Sequence, residues 1–142
     1  MEVKFKKLVP EAVLPSYSKF GDAGLDLTAI AFNTERLYCE YSTGLAVEIP
    51  EGYVGLLFSR SSVSKTTLIQ ANCVGIIDSG YRGEIKVRFK NMPNTHNLMK
   101  YFEVGERIAQ LIIVPYPTIE VVESDILSET ERGVGGFGHT GK

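Results

Sequence analysis

The sequence predicts an all-β domain folded as a barrel or jelly roll, and three observations carry that prediction. Apolar residues recur with period two, or in short blocks bounded by Gly, Pro, Asn or Asp, which is how half-buried and buried strands read. Turn signals interrupt these blocks at short intervals, at Pro50-Glu51-Gly52, Asp78-Ser79-Gly80, Met92-Pro93-Asn94 and Val104-Gly105-Glu106. No window sustains the 3.6-residue period of an amphipathic helix. Many short strands with frequent turns must close or pack on themselves to bury their apolar faces.

In chain order, strands are expected at Val3 to Leu8, Leu25 to Phe32, Thr43 to Ile49 and Tyr53 to Ser59. Gln70 to Ile76, Glu84 to Lys90, Arg107 to Pro115 and Thr118 to Val122 complete the set. Only Ser61 to Thr67 is expected to form a short helix. Lys4, Lys6 and Lys7 mark a solvated strand face, and His96 falls in a loop from Asn91 to Gly105 that reads as an extended connection. No internal repeat or linker divides the chain. The expected organisation is one domain over residues 1–142, with a barrel from 1 to 128 and a Gly-rich arm from 129 to 142.

With 142 residues, 44% of them apolar, the chain can bury about two-thirds of its unfolded surface in a single core. Its 15 basic and 17 acidic residues leave a formal net charge of −2, so no global basic field holds nucleic acid or an anionic membrane. Any bound anion needs a local site. The longest apolar runs, such as Ala29 to Phe32 and Leu111 to Val114, fall far short of the roughly 18 residues of a membrane span. The start, Met1-Glu2-Val3-Lys4-Phe5-Lys6, lacks the hydrophobic region of an export signal, so a soluble protein of the cytoplasm is expected, a nuclear or viral setting reading the same. Cys39 and Cys73 have neither metal-ligand nor redox spacing and are expected to be reduced.

Three stretches carry candidate chemistry. From Glu129 onward, five of the 14 glycines crowd into Arg132-Gly133-Val134-Gly135-Gly136-Phe137-Gly138-His139-Thr140-Gly141. This contains Gly-x-Gly-x-x-Gly formally, but no strand and helix frame it as a dinucleotide-binding fold requires. Composition fits either a disordered tail or a backbone wrapped on phosphate, with Arg132 and Thr140 as donors and Phe137 as a stacking plate for a base. Asn72 to Ile85 reads as two strands around a glycine-bounded turn. It is either a plain hairpin with Asp78 as turn former, or the mouth of a pocket where the Asp78 carboxylate accepts a proton from water beside Tyr81 and Arg82. Ser59-Arg60-Ser61-Ser62-Val63-Ser64-Lys65 reads either as helix capping or as hydroxyl and guanidinium donors for an anion. Ala23-Gly24-Leu25-Asp26-Leu27 and Gly105-Glu106-Arg107-Ile108-Ala109-Gln110-Leu111 say little alone.

Taken in order, these five segments, from Ala23 to Gly141, resemble the five motifs of the trimeric deoxyuridine triphosphatase (dUTPase) family. The resemblance implies a dUTPase-like β-clip barrel. It also implies hydrolysis of dUTP to dUMP and pyrophosphate, which limits uracil in DNA and supplies dUMP. Asp78 would orient and deprotonate the water that attacks the α-phosphorus. Asn72, with main-chain groups of the segment that include Gly75 and Ile77, would bind uracil and leave no room for a thymine methyl. Tyr81 would lie against deoxyribose and exclude a 2′-hydroxyl. Arg60, Ser61, Ser62 and Gln110 match the phosphate-binding positions, and Asp26 the acidic residue near the phosphate–magnesium site. Arg132 would hold the γ-phosphate, Phe137 would close over uracil, and Gly138, His139 and Thr140 complete the arm. Mg²⁺ would arrive with the triphosphate rather than in a protein cage, and a homotrimer would share its sites between subunits.

Two readings compete with this one. The deoxycytidine triphosphate deaminases are similar in fold and often carry Arg-Ser-Ser, but their catalytic glutamate aligns with Arg88, and a cation cannot replace it. A non-catalytic, nucleotide-sensing β-trimer would keep the fold without needing Asp78, Tyr81 and Gln110. The chain departs from the family pattern at Ser62, where glycine is usual, and at His139, where serine is usual. An imidazole at 139 still donates to phosphate, so activity should be retained with some sensitivity to pH near 6.5, the usual pKa of histidine. Comparing pH–rate profiles of the wild type and His139→Ser checks this, and superimposable profiles would refute it.

Overall fold

The computed structural model describes residues 1–93 and 100–136. His96, Phe137, Gly138, His139 and Thr140 lie outside the described residues. The elements are β1 (Lys4–Lys7), β2 (Leu25–Thr28), β3 (Ala31–Thr34), β4 (Cys39–Ser42), β5 (Leu45–Glu48) and β6 (Tyr53–Ser59). A 3-10 helix (Ser61–Lys65) follows, then β7 (Leu68–Gln70), β8 (Gly75–Ile77), β9 (Lys86–Asn91) and β10 (Arg107–Pro115). All strand pairings are antiparallel. One four-stranded sheet runs β2-β10-β6-β8, a second β3-β4-β9-β7, and β1 pairs with β5. No helix among the described residues is long and apolar enough to cross a membrane.

The two larger sheets face each other across one core. Along β9, Val87 and Phe89 point inward while Lys86, Arg88 and Lys90 point out, the period-two pattern that the sequence predicts. Tyr41, Leu27, Leu45, Ile85, Ile108 and Leu111 are fully buried, each leucine or isoleucine worth about 1.5–3 kcal/mol of transfer free energy. Tyr41 sits among Phe32, Phe89 and Phe102, with ring centroids 4.8, 5.8 and 6.2 Å away. Its hydroxyl donates to Phe102 O at 3.0 Å, so the one polar atom of this aromatic cluster is satisfied. Burial pushes the Tyr41 phenol well above its usual pKa, and it pushes the Cys39 thiol up as well. Both cysteines are free thiols.

Five sequence expectations need correction. Leu25 to Phe32 is two strands rather than one, because the chain leaves one sheet after Thr28 and enters the other at Ala31. Cys39–Ser42 is a strand that the polar Glu40 and Ser42 concealed. Gln70 to Ile76 is also divided, between β7 and β8 in different sheets, with Cys73 in the left-handed region (φ 56°) at the crossing. Thr118 to Val122 forms no strand. No described strand pairs with it. Ile119, Val121, Val122, Ile126 and Leu127 are consequently 74–87% exposed. The expected helix is a 3-10 turn that ends at Lys65.

On the outer face of β4–β9, Glu40 lies directly opposite Arg88. Its carboxylate pairs with Lys86 Nζ and Arg88 Nε, both at 2.7 Å, and Arg88 lies over the Tyr38 ring at 4.4 Å. The hydrogen bond from Lys86, reinforced by Arg88, holds the Glu40 carboxyl below its usual pKa. A depressed folded-state pKa stabilises the protein above the unfolded value, and that contribution is lost as pH falls through the folded value. Glu40→Gln should therefore lower the melting temperature at pH 7 and converge with the wild type in acid, as thermal melts across pH 7 to 3 would show. A constant difference over that range would refute the linkage.

Candidate functional site

The segment from Asn72 to Ile85 is not a hydrogen-bonded hairpin. β8 pairs with β6 and β9 with β4 and β7, so the two arms of the segment diverge into different sheets. A cavity of about 610 Å³ opens between them, lined by Asn72, Gly75, Ile77, Asp78 and Tyr81 on one side and by the Glu40–Lys86–Arg88 cluster on the other. β8 is the edge of its sheet, so among the described strands nothing pairs with its outer edge. Main-chain N–H and C=O groups at an edge are a ready template for a hydrogen-bonding partner. Gly75 brings that edge close to its surroundings: a Cβ there would lie 3.0 Å from Leu57 Cβ and 3.3 Å from Asn72 Nδ2.

The turn itself is latched by its own side chains. Tyr81 N–H donates to Asp78 O at 3.0 Å, and Arg82 reaches back to Ser79 O and Tyr81 O at 2.6 and 2.9 Å. The Tyr81 hydroxyl donates to Glu84 O at 2.9 Å, which lays the ring over Gly83. A Cβ at Gly83 would sit 2.6 Å from Tyr81 Cζ and would meet the hydroxyl as well. The ring occupies the space a side chain at 83 would take, so alanine there would push the half-exposed Tyr81 ring aside. Glu84 ties the turn to the barrel by accepting from Gly44 N–H at 2.8 Å.

A second cavity, of about 370 Å³, shares no lining residue with the first and carries Arg60, Ser62, Lys65, Lys100, Glu106 and Arg107. The Asp26 carboxylate, 10% exposed, grips both arginines: Oδ1 meets Arg60 Nε at 2.7 Å and Oδ2 meets Arg107 Nη1 at 2.8 Å. Arg60 Nη1 also donates to Arg107 O at 3.2 Å. Asp26 thus spends both oxygens on orienting guanidinium groups. Ser62 Oγ is buried with no hydrogen-bond partner among the described residues, an arrangement that costs about 1–3 kcal/mol unless a ligand satisfies it. Ser61 is exposed at the start of the 3-10 turn. Gln110 Nε2 reaches Ser59 O at 3.4 Å, and Gly24 leaves room for its amide, since a Cβ there would lie 2.6 Å from Gln110 Oε1. Arg132 is apart from both cavities, its Nε bonded to Gly135 O at 2.9 Å within the exposed arm.

Among the described residues, no group of three His, Cys, Asp or Glu side chains is placed to hold a metal ion. With Asp26 doubly engaged, this donor set suits a divalent cation brought by an anionic ligand. The structure assembles Asn72, Gly75, Ile77, Asp78 and Tyr81 in one cavity and Arg60 with Ser62 in another. It does not join these two halves within one chain. Two residues with clear roles in the site escaped the sequence reading. Arg107 was visible only as part of a strand, and Gln70, described below, only as a lone amide in an apolar run.

A β-barrel with a cavity edged by unpaired main chain, a carboxylate beside it and a separate guanidinium-rich cavity defines a nucleotide-binding protein. The chain belongs to the dUTPase family, whose model matches residues 10–141. It is 44% identical over 149 residues to the deoxyuridine 5′-triphosphate nucleotidohydrolase of Nautilia profundicola, with all of both chains covered. It is 43% identical over 147 residues to that of Hydrogenobaculum sp., with 99% of each covered. Among solved structures, a mutant Staphylococcus bacteriophage 80alpha dUTPase with dUpNHpp superimposes with a TM-score of 0.86 at 34% identity, covering 99% of both chains. A mutant dUTPase from phage phi11 of S. aureus, described as coordinating a structural Mg(II) ion, gives 0.75 at 30% identity, over 89% of this chain and 98% of that one.

The Gly83 contact generates a direct test. Gly83→Ala should displace the Tyr81 ring and weaken rejection of ribonucleotides on the order of tenfold, out of the roughly hundredfold that steric exclusion of one hydroxyl supplies. The ratio of kcat/KM for dUTP and UTP reads this out. An unchanged ratio in a folded variant would refute the seating role.

Proposed function

We propose that this chain hydrolyses dUTP to dUMP and pyrophosphate, in a homotrimer whose sites are shared between subunits. The observation that carries the reading is the open outer edge of β8 in the same cavity as Asp78 and Tyr81. A free strand edge offers alternating acceptors and donors, which is how a pyrimidine edge is read without side chains. Tyr81 then flanks the sugar, and Asp78 stands where the α-phosphate follows.

The reaction needs little covalent chemistry from the protein. Asp78 accepts a proton from a water whose oxygen attacks the α-phosphorus. The bond from that phosphorus to the bridging oxygen breaks, and the electron pair leaves with pyrophosphate. Arg60, Ser61, Ser62 and Gln110 bind the oxygens on which charge accumulates, and the partnerless Ser62 hydroxyl gains an acceptor there. Asp26 keeps Arg60 aimed, with Arg107 as the second jaw of the clamp. Mg²⁺ brought with the triphosphate would supply charge neutralisation when bound. The arm contributes Arg132 to the γ-phosphate and Phe137 to the base, with Gly138, His139 and Thr140 beside them.

Two features support the trimer. The base half and the phosphate half of the site occupy separate cavities in one chain. The segment after β10 exposes Ile119, Val121, Val122, Ile126 and Leu127, more apolar surface than an isolated chain leaves in water without a partner. A neighbouring copy covers this segment, and the arm beyond it closes over a site that the donor subunit does not itself contain.

The experiment measures pyrophosphate release from dUTP with Mg²⁺ for the wild type and Asp78→Asn. Loss of a general base predicts a rate lower on the order of 10²- to 10⁴-fold in the variant. Equal rates would falsify the mechanism, and ammonia released from dCTP would replace it with deamination.

A further inference from the structure

The Gln70 side chain is a buried amide where the chain crosses between the two sheets, a place where apolar packing would have sufficed. Gln70 is the last residue of β7, only 5% exposed, and the rest of that strand is Leu68 and Ile69. Its amide makes three hydrogen bonds. Nε2 donates to Leu57 O at 3.0 Å and to Asn72 Oδ1 at 3.3 Å, while Oε1 accepts from Ser59 Oγ at 2.8 Å. Leu57 and Ser59 belong to β6, in the opposite sheet, so the amide also joins the sheets at the point where the chain crosses between them.

We infer that Gln70 is a positioning residue for Asn72, setting the orientation of the Asn72 amide so that its Nδ2 donates into the first cavity. The polarity of the network dictates this. The Leu57 carbonyl can only accept, so Nε2 is the end of the Gln70 amide turned toward Leu57 O and Asn72, and Oε1 is left to accept from Ser59 Oγ–H. An N–H can meet only the oxygen of the Asn72 amide, so Oδ1 is held back against Gln70 and Nδ2 is turned away from it. Gly75 is where that Nδ2 arrives: a Cβ at 75 would stand 3.3 Å from it, and both Asn72 and Gly75 line the cavity. An asparagine free to flip would present donor and acceptor alternately. Here the buried bonds select the donor, which suits a carbonyl oxygen of uracil or the attacking water.

The inference rests on the first cavity being the pyrimidine site. Gln70→Glu keeps the volume but removes the donor facing Asn72 Oδ1, so the Asn72 amide should turn over and offer its oxygen to the cavity. Gln70→Met removes the bonds without imposing the reverse polarity, and Ser59→Ala removes only the bond to Oε1, leaving Leu57 O to orient the amide. The expected result is a fall in kcat/KM for dUTP on the order of tenfold or more in Gln70→Glu, and a smaller fall in the other two. In an Asn72→Ala background the Gln70 substitutions should have no further effect on kcat/KM, although melting temperatures still drop. Penalties of equal size with and without Asn72, or lowered melting temperature with unchanged kcat/KM, would overturn the positioning role. Should Gln70→Glu not fold, the Met and Ser59→Ala variants answer the same question. A wild type inactive on dUTP would instead refute the function proposed above, so the two failures are distinct.

Discussion

The arrangement depends on the divergence of β8 and β9 into different sheets. Continuous pairing across the Asp78–Gly80 turn would satisfy every main-chain group and leave no cavity. Because β8 is drawn to β6 and β9 to β4 and β7, an edge stays open and a pocket forms beside it. The divergence has costs, including a left-handed Cys73 and a buried polar side chain at the crossing. Gln70 meets the second by bonding in three directions, to Leu57, Ser59 and Asn72. A fully satisfied buried network of this kind rigidifies its surroundings.

Charge is handled locally throughout. With a formal net charge of −2, the chain has no long-range attraction for a polyphosphate. It concentrates Arg60, Lys65, Lys100 and Arg107 around one cavity and uses a single nearly buried carboxylate, Asp26, to orient the two arginines. Such a clamp fixes the guanidinium planes before any ligand arrives, so less side-chain entropy is lost on binding. Glu40 does the same for Lys86 and Arg88 along the wall of the first cavity. In both places a carboxylate sets the direction of cations.

The segment after Pro115 shows how a sequence pattern can be right about chemistry and wrong about structure. Thr118 to Val122 alternates and branches like a strand, but no described strand of its own chain pairs with it. Its apolar residues remain exposed in the single chain. A strand-like sequence without a partner within its own chain is what the proposed trimer would need, because it pairs only when a second copy supplies the edge.

Part of the candidate site was legible because its chemistry is local: Arg60-Ser61-Ser62 and the Asp78 turn with Tyr81 are short contiguous motifs whose residue types announce donors and a carboxylate, and the structure places them at two cavities. The all-β class was legible too, since period-two alternation is a property of neighbouring residues. Sheet membership was not. Pairing partners are distant in sequence, so Leu25 to Phe32 and Gln70 to Ile76 each read as one strand where tertiary pairing made two. For the same reason the grip of Asp26 on Arg107, the space that Gly83 leaves for Tyr81, and the role of Gln70 required coordinates. The sequence by itself determined which chemical groups are available and that they ride on strands and turns. Only the tertiary structure decided which groups meet, because burial, hydrogen-bond polarity and the competition for strand edges are settled between segments far apart in the chain.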